Sequence, residues 1–202
     1  MLLRNLFALI LLHSILLLCC QALHAADDLE LEKEDPITIK RTGSPCKTLF
    51  VREEIQDNRI LRLSIISKSL KSEILKFDSD PAGSTGKTIQ KWEWRDLTGS
   101  GKGELLIWHS VFFGKGGSAH LDVYYVDPDE RYLSKVASIM YSRHAHHVYP
   151  DQPPLSGDLT FEKGIIDWTA KPDNRAKPDE VQWVWDANQK TFIGHKTKED
   201  KK

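Results

Sequence analysis

Residues 89–109, IQKWEWRDLTGSGKGELLIWH, contain two strand-like runs on either side of a glycine-rich loop. Ile89 to Trp94 and Glu104 to His109 are rich in aromatic and branched side chains, which favour β-strands. Asp96 to Gly103 supplies the glycines that a tight connection between strands needs. The stretch therefore predicts two neighbouring strands joined by a short loop.

The same pattern of strand-like runs and turns continues on both sides of this stretch. Further strands are predicted at 49–55, 61–65, 121–126, 131–141, 160–161, 165–169, 181–185 and 191–195. Turn signals recur about every 8 to 12 residues, and strands do not alternate with helices. The predicted fold is all-β, with mostly antiparallel sheets arranged as a sandwich or a partial propeller. Leu70 and Ile74, spaced four apart, predict one short helix near 67–75.

The first 25 residues have the pattern of a secretory signal peptide. Arg4 precedes an apolar run from Leu6 to Leu18, which is short for a membrane span, and cleavage is expected after Ala25. One alternative is a retained N-terminal anchor. Another is a lipid on Cys19 or Cys20, since an apolar run that ends at a cysteine is also typical of bacterial lipoproteins. The mature protein is therefore expected in the periplasm or outside the cell, with no other contact to a membrane.

The remaining chain divides by composition into three parts. Residues 26–46 read as a flexible segment that begins with six acidic residues and one lysine between 27 and 35. Residues 47–196 are predicted to form a single β-rich domain, and residues 197–202 form a charged tail.

Charge and cysteine content exclude two classes of protein. The chain of 202 residues has 28 Lys plus Arg and 29 Asp plus Glu, and removal of the signal, which holds only Arg4, leaves 27 against 29. A near-neutral chain lacks the basic excess that drives nucleic-acid binding, so no nucleic-acid partner is expected. Only Cys46 remains after cleavage, which excludes an intramolecular disulfide scaffold.

The glycine-rich loop has the layout of an oxygen-lined cation site. Asp96, Thr98, Ser100 and Glu104 occupy the first, third, fifth and ninth places, with a glycine at the sixth. It is not an EF-hand, because Ile107 stands at the twelfth place, where that loop ends in a carboxylate. The alternative is a metal-free turn in which Asp96 caps its own backbone.

Residues 92–126 resemble a single FG-GAP or VCBS repeat of the integrin type. The resemblance rests on the Asp96–Glu104 loop, the aliphatic strand after it, and the glycine-rich segment Phe113 to His120. It implies weak calcium binding through Asp96 and Glu104. Thr98 and Ser100 depart from the family pattern, since they stand where acidic or amide ligands are expected.

Two further groups of residues suggest chemistry. His144 and His146 would share one face of a strand and, with His147, could bind zinc if another segment supplied a further ligand. Exposed polar histidines are the alternative. The pairs Trp92/Trp94 and Trp183/Trp185 each form an aromatic plate, which either packs in a core or stacks on a sugar.

These features favour an exported, non-enzymatic β-rich domain that binds an unidentified protein or glycan. Two alternatives stay open at this point. One is an exported hydrolase that uses acidic residues, with Asp96, Glu104 and the histidines near a metal. The other is a metal-handling protein centred on His144, His146 and His147.

Overall fold

Every regular element in the described part of the chain is a β-strand. The computed structural model describes residues 37–80, 86–113, 116–144, 154–172, 174, 176, 178 and 180–196. The strands are β1 (Thr38–Gly43), β2 (Leu49–Gln56), β3 (Arg59–Ser67), β4 (Ser72–Asp78), β5 (Lys87–Arg95), β6 (Glu104–Phe113), β7 (Gly116–Val126), β8 (Leu133–His144), β9 (Leu155–Glu162), β10 (Ile165–Ala170), β11 (Glu180–Asp186) and β12 (Thr191–Lys196). The all-β prediction is confirmed.

The strands form one antiparallel sheet that is not closed. Its order is β1-β2-β3-β5-β6-β7-β8-β9-β10-β11-β12, with β4 paired to β3 beside this path. Two neighbouring strand pairs share very few paired residues. Strands β3 and β5 pair only through Ile60 and Ile89, and β8 and β9 pair through two residue pairs. These short pairings divide the sheet into three successive groups of four strands, β1–β4, β5–β8 and β9–β12.

The predicted hairpin at 49–65 forms as expected. Asp57 and Asn58 connect β2 to β3, and both have positive φ, at 50° and 58°. Two consecutive left-handed residues are typical of the type I′ turn, whose twist matches that of the flanking strands. Asp and Asn tolerate this conformation better than most residues, so the local sequence specifies the turn.

The short helix predicted near 67–75 is wrong. Ser67 pairs with Ser72, so residues 68–71 form a turn and β4 follows directly. Lys71 has a φ of 51°, which ends any helical path, and the Ser67 hydroxyl accepts the N–H of Leu70 at 3.3 Å. Ile74 packs against the core from strand β4. The spacing of Leu70 and Ile74 therefore reflects a turn followed by a strand.

Two other boundaries need correction. Residues 38–43, which the sequence predicts to be part of a flexible segment, pair with β2 as strand β1. The glycine-rich segment 113–120 is largely strand, because β7 already begins at Gly116. The predicted signal peptide, residues 26–36 and the tail 197–202 lie outside the described residues.

The apolar side chains collect in two cores on opposite faces of β6 and β7. The first core contains Cys46, Leu49, Val51, Leu63, Ile65, Phe77, Ile89, Leu105, Ile107, Tyr124 and Val126. The second core contains Leu97, Leu106, Trp108, Leu121, Val123, Val136, Ile139, Leu155, Ile166, Trp168, Trp183 and Phe192. Strand β6 has side chains in both cores because successive residues of a strand point to opposite faces. A search of the described ranges for a membrane-spanning helix finds none.

Candidate functional site

The glycine-rich loop connects β5 to β6 and owes its shape to alternating glycines. Gly99, Gly101 and Gly103 have φ values of 76°, 75° and 78°. Residues with a Cβ rarely adopt this left-handed conformation, so the glycine spacing that resembles a cation loop is also what this backbone path requires.

Glu104, a predicted calcium ligand, is fully buried beneath the loop. Its carboxylate accepts the backbone N–H groups of Leu97 (2.7 Å) and Thr98 (3.2 Å). The Thr98 hydroxyl, another predicted ligand, donates to the same carboxylate at 2.7 Å. The side chains of two of the four predicted ligands are therefore hydrogen-bonded to each other, and these hydrogen bonds stabilise the loop.

The other two predicted ligands also contact the loop backbone. Asp96 is exposed, and its carboxylate accepts the N–H of Gly101 at 3.1 Å. The Ser100 hydroxyl accepts the N–H of Lys102 at 3.3 Å. All four side chains thus act as hydrogen-bond acceptors or donors for the loop itself, and calcium binding stays a prediction of the resemblance.

The same loop joins three segments that are distant in sequence. The N–H of Gly164 donates to the carbonyl of Leu97 at 2.5 Å, and the Cys46 thiol lies 3.7 Å from the carbonyl of Lys102. The Lys102 ammonium donates to the carbonyl of Pro128. We call residues 96–104 the junction loop, because all three groups of strands meet there.

Of the three histidines predicted to bind zinc, the structure describes only His144, which is far from the junction loop. His144 is the exposed last residue of β8 and pairs with Gly117, whereas His146 and His147 lie outside the described residues. Gly117 pairs with Phe112, at the opposite end of β6 from Glu104, about 25 Å away at the usual rise of a strand. The structure therefore does not bring Glu104 and His144 together in one metal-assisted site.

No metal cluster is evident in the ranges that the structure describes. There, no three side chains among His, Cys, Asp and Glu come close enough together to hold one ion.

Both tryptophan pairs are packed against the cores. Trp92 and Trp94 lie against the first core, and the Trp92 indole N–H donates to Glu53 at 2.8 Å. Trp183 is buried in the second core, and Trp185 packs against it. The aromatic plates are therefore core packing, as one of the two interpretations predicted.

Cys46 is a buried side chain of the first core. Burial is the main cause that raises the pKa of its thiol to about 11, with the nearby negative charge of Glu130 adding to the rise. The thiol is protonated at neutral pH and is therefore a poor nucleophile.

A polar cluster missed by the sequence analysis lies at one edge of the first core. His109 on β6 stands directly opposite His120 on β7, and their rings stack at 5.3 Å with an angle of 8° between the planes. The Nε2 atom of buried His109 lies 3.4 Å from the Asp122 carboxylate. The Ser138 hydroxyl donates to Asp122 at 2.6 Å. We call His109, His120 and Asp122 the histidine cluster.

Asp122 and His120, two members of the histidine cluster, carry different charges at neutral pH. Burial by itself raises the pKa of Asp122, but the contacts from His109 and Ser138 and the charge of Lys135 outweigh it, and the pKa is about 2. Burial, followed by the proximity of His109, lowers the pKa of His120 below its usual 6.5. Asp122 is thus anionic and His120 neutral at pH 7.

The histidine cluster could not be assembled from the sequence, because it depends on strand register. His109 and His120 are 11 residues apart, and a shift of one residue would place them on opposite faces. The sequence signal was only the presence of a histidine in each of two adjacent strands.

A cleft of about 330 Å³ lies between the β7–β8 turn and the β11–β12 turn. It is lined by Tyr125, Asp127, Pro128, Tyr132, Ser134, Lys135, Val136, Gln189, Lys190 and Thr191. Tyr132 is 57% exposed, and Tyr125 is stacked on Trp185 at 5.5 Å. The cleft therefore has one firmly packed aromatic ring and one that is open to solvent.

The β7–β8 turn, residues 127–132, is held by the carboxylate of Asp127. This carboxylate accepts the backbone N–H groups of Asp129 (3.1 Å), Arg131 (2.5 Å) and Tyr132 (2.9 Å). Burial opposes ionisation, but the N–H groups outweigh it and lower the pKa of Asp127. We call this segment the tyrosine turn.

The tyrosine turn is also tied to the rest of the domain. Glu130 accepts the N–H of Thr48 at 3.1 Å and also the Thr48 hydroxyl. Hydrogen bonding to Thr48 is the main cause that lowers the pKa of Glu130. The Lys102 ammonium lies 3.6 Å from Glu130, so the junction loop supports the turn that carries Tyr132.

Comparisons with known proteins give no relative. No family model, no curated protein and no solved structure matches the chain. The resemblance of residues 92–126 to an FG-GAP or VCBS repeat stays a prediction that rests on the residues quoted for it.

Proposed function

We propose that this protein is an exported, non-enzymatic binding module that holds a glycan in the cleft beside the tyrosine turn. The observation that carries the proposal is Tyr132, an aromatic residue 57% exposed on a turn that Asp127 holds with three backbone hydrogen bonds. Large aromatic side chains usually bury most of their surface, so one presented to solvent on a fixed turn suggests a contact surface.

The chemistry of the cleft suits a sugar. An aromatic ring can stack on the C–H face of a sugar ring, and hydroxyl and amide side chains such as Ser134 and Gln189 match its hydroxyl groups. The hydrogen bonds within the tyrosine turn fix its backbone before the ligand arrives. Less conformational entropy is then lost on binding, which favours affinity.

The positions of the other candidate residues support binding over hydrolysis. A glycosidase needs two carboxyl groups that flank one bond, about 5 to 9.5 Å apart. Glu104 is buried and bonded to Leu97 and Thr98, whereas Asp96 is exposed. These two carboxylates therefore do not line a common open cleft.

Export is part of the same proposal and rests on residues 1–25. We expect the mature chain to begin at Ala26, in the periplasm or outside the cell. A mass spectrum of the processed protein tests this, since an acylated chain beginning at Cys19 or Cys20 has a different mass and remains with the membrane.

Binding can be tested with the mature chain and a small panel of probes. Chitohexaose, cellohexaose and an oligogalacturonate cover an N-acetylated, a neutral and an acidic sugar, and isothermal titration calorimetry measures each dissociation constant. We expect one of them to bind, and Tyr132→Ala to weaken that binding by about tenfold or more, which corresponds to roughly 1.4 kcal/mol. The unfolding free energy of the variant should change by less than about 0.5 kcal/mol, since the side chain is mostly exposed.

Leu70→Ala provides the matched control. Leu70 is 49% exposed on the β3–β4 turn, and it does not line the cleft. The control should bind like the wild type. The proposal fails if no probe binds the wild-type protein, or if Tyr132→Ala binds as tightly as Leu70→Ala.

A further inference from the structure

The histidine cluster has an arrangement that neither the fold nor the proposed glycan site explains. His109 is buried, and its Nδ1 atom has no hydrogen-bond partner among the described residues. Buried polar atoms are normally paired, and an exception usually reflects a function or strain. The ring is fixed between His120, stacked at 5.3 Å, and Phe77 of β4, at 5.2 Å.

The charged and titratable groups around the cluster are mostly basic. Strand β5 contributes Lys87, whose ammonium lies 3.4 Å from the centre of the Phe77 ring, and β8 contributes Lys135, 3.4 Å from Asp122. Among the described residues, Tyr124 on β7 and Asp78 on β4 also interact electrostatically with the cluster or with Lys87, and Asp80 is hydrogen-bonded to Lys87 through the backbone. Burial, and then the charge of Asp122, raises the pKa of Tyr124 to about 12, so this phenol stays neutral.

The surroundings of His120 disfavour a proton on its ring. The Asp122 carboxylate contacts His109 at 3.4 Å, and the ring of His109 is stacked on that of His120 at 5.3 Å. A proton on His120 therefore adds a positive charge at a partly buried position near the ammonium groups of Lys87 and Lys135. Like charges repel more strongly in a partly buried site than in water.

We propose that His109, His120 and Asp122 form an acid-sensitive lock, which is released when His120 takes up a proton. Release loosens the contact of Phe77 and Lys87 with this edge of the first core. The packing of β4 and β5 against β6 and β7 thereby becomes dependent on pH.

The direction of the pH effect follows from His120. Its pKa in the folded state is lowered from 6.5, mainly by burial and then by His109. The unfolded state therefore binds the proton more readily, and folding stability is lost as the pH falls below 6.5. Asp122 keeps its charge throughout this range, because its folded-state pKa is about 2, against an ordinary value of 3.8. The Asp122 contribution is lost only at lower pH, as the pH falls from near 3.8 through 2.

The test measures urea unfolding of the mature chain between pH 7.5 and 5. Each pKa unit by which folding lowers the pKa of His120 should raise the unfolding equilibrium constant about tenfold across the titration. His120→Gln can keep a hydrogen bond to Ser118, which lies 2.6 Å from His120, but cannot take up a proton. This variant should lose most of the pH dependence. His195→Gln, at an exposed position on β12, should retain it.

Two further measurements keep the proposal testable if His120→Gln folds poorly. In the wild type, the NMR signals of the His120 ring should titrate with a midpoint below 6.5. Hydrogen exchange of the amides in β4 and β5 should accelerate at pH 5 more than exchange in β11 and β12, after correction for the intrinsic rate. An ordinary or raised midpoint, or equal pH dependence in His120→Gln and the wild type, would overturn the proposal.

Discussion

Two connections in this protein use one carboxylate to collect backbone N–H groups, but they expose very different side chains. In the junction loop, Glu104 binds the backbone of Leu97 and Thr98, and the polar side chains fold onto the loop. In the tyrosine turn, Asp127 binds three backbone N–H groups, and Tyr132 is left open to solvent. The loop whose residues resemble a cation site in the sequence is therefore closed by its own hydrogen bonds, whereas the plainer turn leaves an aromatic ring open to solvent.

The contrast has a simple physical basis. A polar side chain that is already bonded within the protein must lose those bonds before it can hold a ligand, which costs free energy. Glu104 is fully buried with three donors, whereas Tyr132 can contact a ligand without losing core packing. The residue types in a sequence suggest which ligands a site could bind. The burial of each side chain and its hydrogen-bond partners decide whether that side chain is available to a ligand.

The largest expected effect is on the stability contributed by Glu104. Glu104→Ala removes the acceptor of the Thr98 N–H and of the Thr98 hydroxyl, and it leaves the Leu97 N–H with only its second acceptor, the Arg95 carbonyl at 3.0 Å. We expect a loss of about 3 kcal/mol in the free energy of unfolding. Glu104→Gln is the control, because it keeps one acceptor oxygen and should lose less. Urea denaturation measures both. A loss below about 1 kcal/mol for the alanine variant would show that the junction loop does not depend on this carboxylate.

A smaller effect is expected at Asp127, together with a change in binding. Asp127→Ala removes the acceptor of three N–H groups, but water can replace part of it, so we expect a loss of about 1 to 2 kcal/mol. Because Tyr132 is then less firmly held, sugar binding should weaken as well. Asp129→Ala makes the same chemical change in the same turn, and Asp129 contributes its backbone N–H to the contact with Asp127. If the two variants have equal stability and affinity, Asp127 does not organise the turn.

The smallest expected effect concerns calcium. The resemblance to an FG-GAP or VCBS repeat implies a site in the junction loop, but an ion there would compete with the hydrogen bonds that Glu104 makes to Leu97 and Thr98. We therefore expect the melting temperature to be the same in excess calcium and in chelator. A ligand of the folded state at 100 times its dissociation constant adds about 2.7 kcal/mol, which is readily seen. A rise that Asp96→Ala abolishes would restore the calcium site.

The sequence predicted most strands because their periodicity is local. Asp57-Asn58 specifies its turn, and the paired tryptophans mark strands β5 and β11. The helix near 67–75 was wrong because a spacing of four residues also arises when a turn precedes a strand, as at Leu70 and Ile74. Local pattern does not distinguish these two cases over so few residues.

The candidate sites were less predictable than the fold. Whether Glu104 points to an ion or to the backbone depends on how the loop closes, and the pairing of His109 with His120 depends on register. The cleft brings Tyr132 next to Thr191, which is 59 positions later in the chain. Each of these arrangements is set by tertiary packing, which a single sequence does not reveal.

We propose that the tyrosine turn binds the sugar and that the junction loop only supports this turn. The most direct test is an NMR titration of the ¹⁵N-labelled mature chain with the oligosaccharide that binds most tightly. We predict that the largest shift changes fall on the cleft, within residues 125–136 and 189–191, and that residues 96–104 change little. Shift changes centred on residues 96–104, or the absence of changes with every probe, would contradict the account.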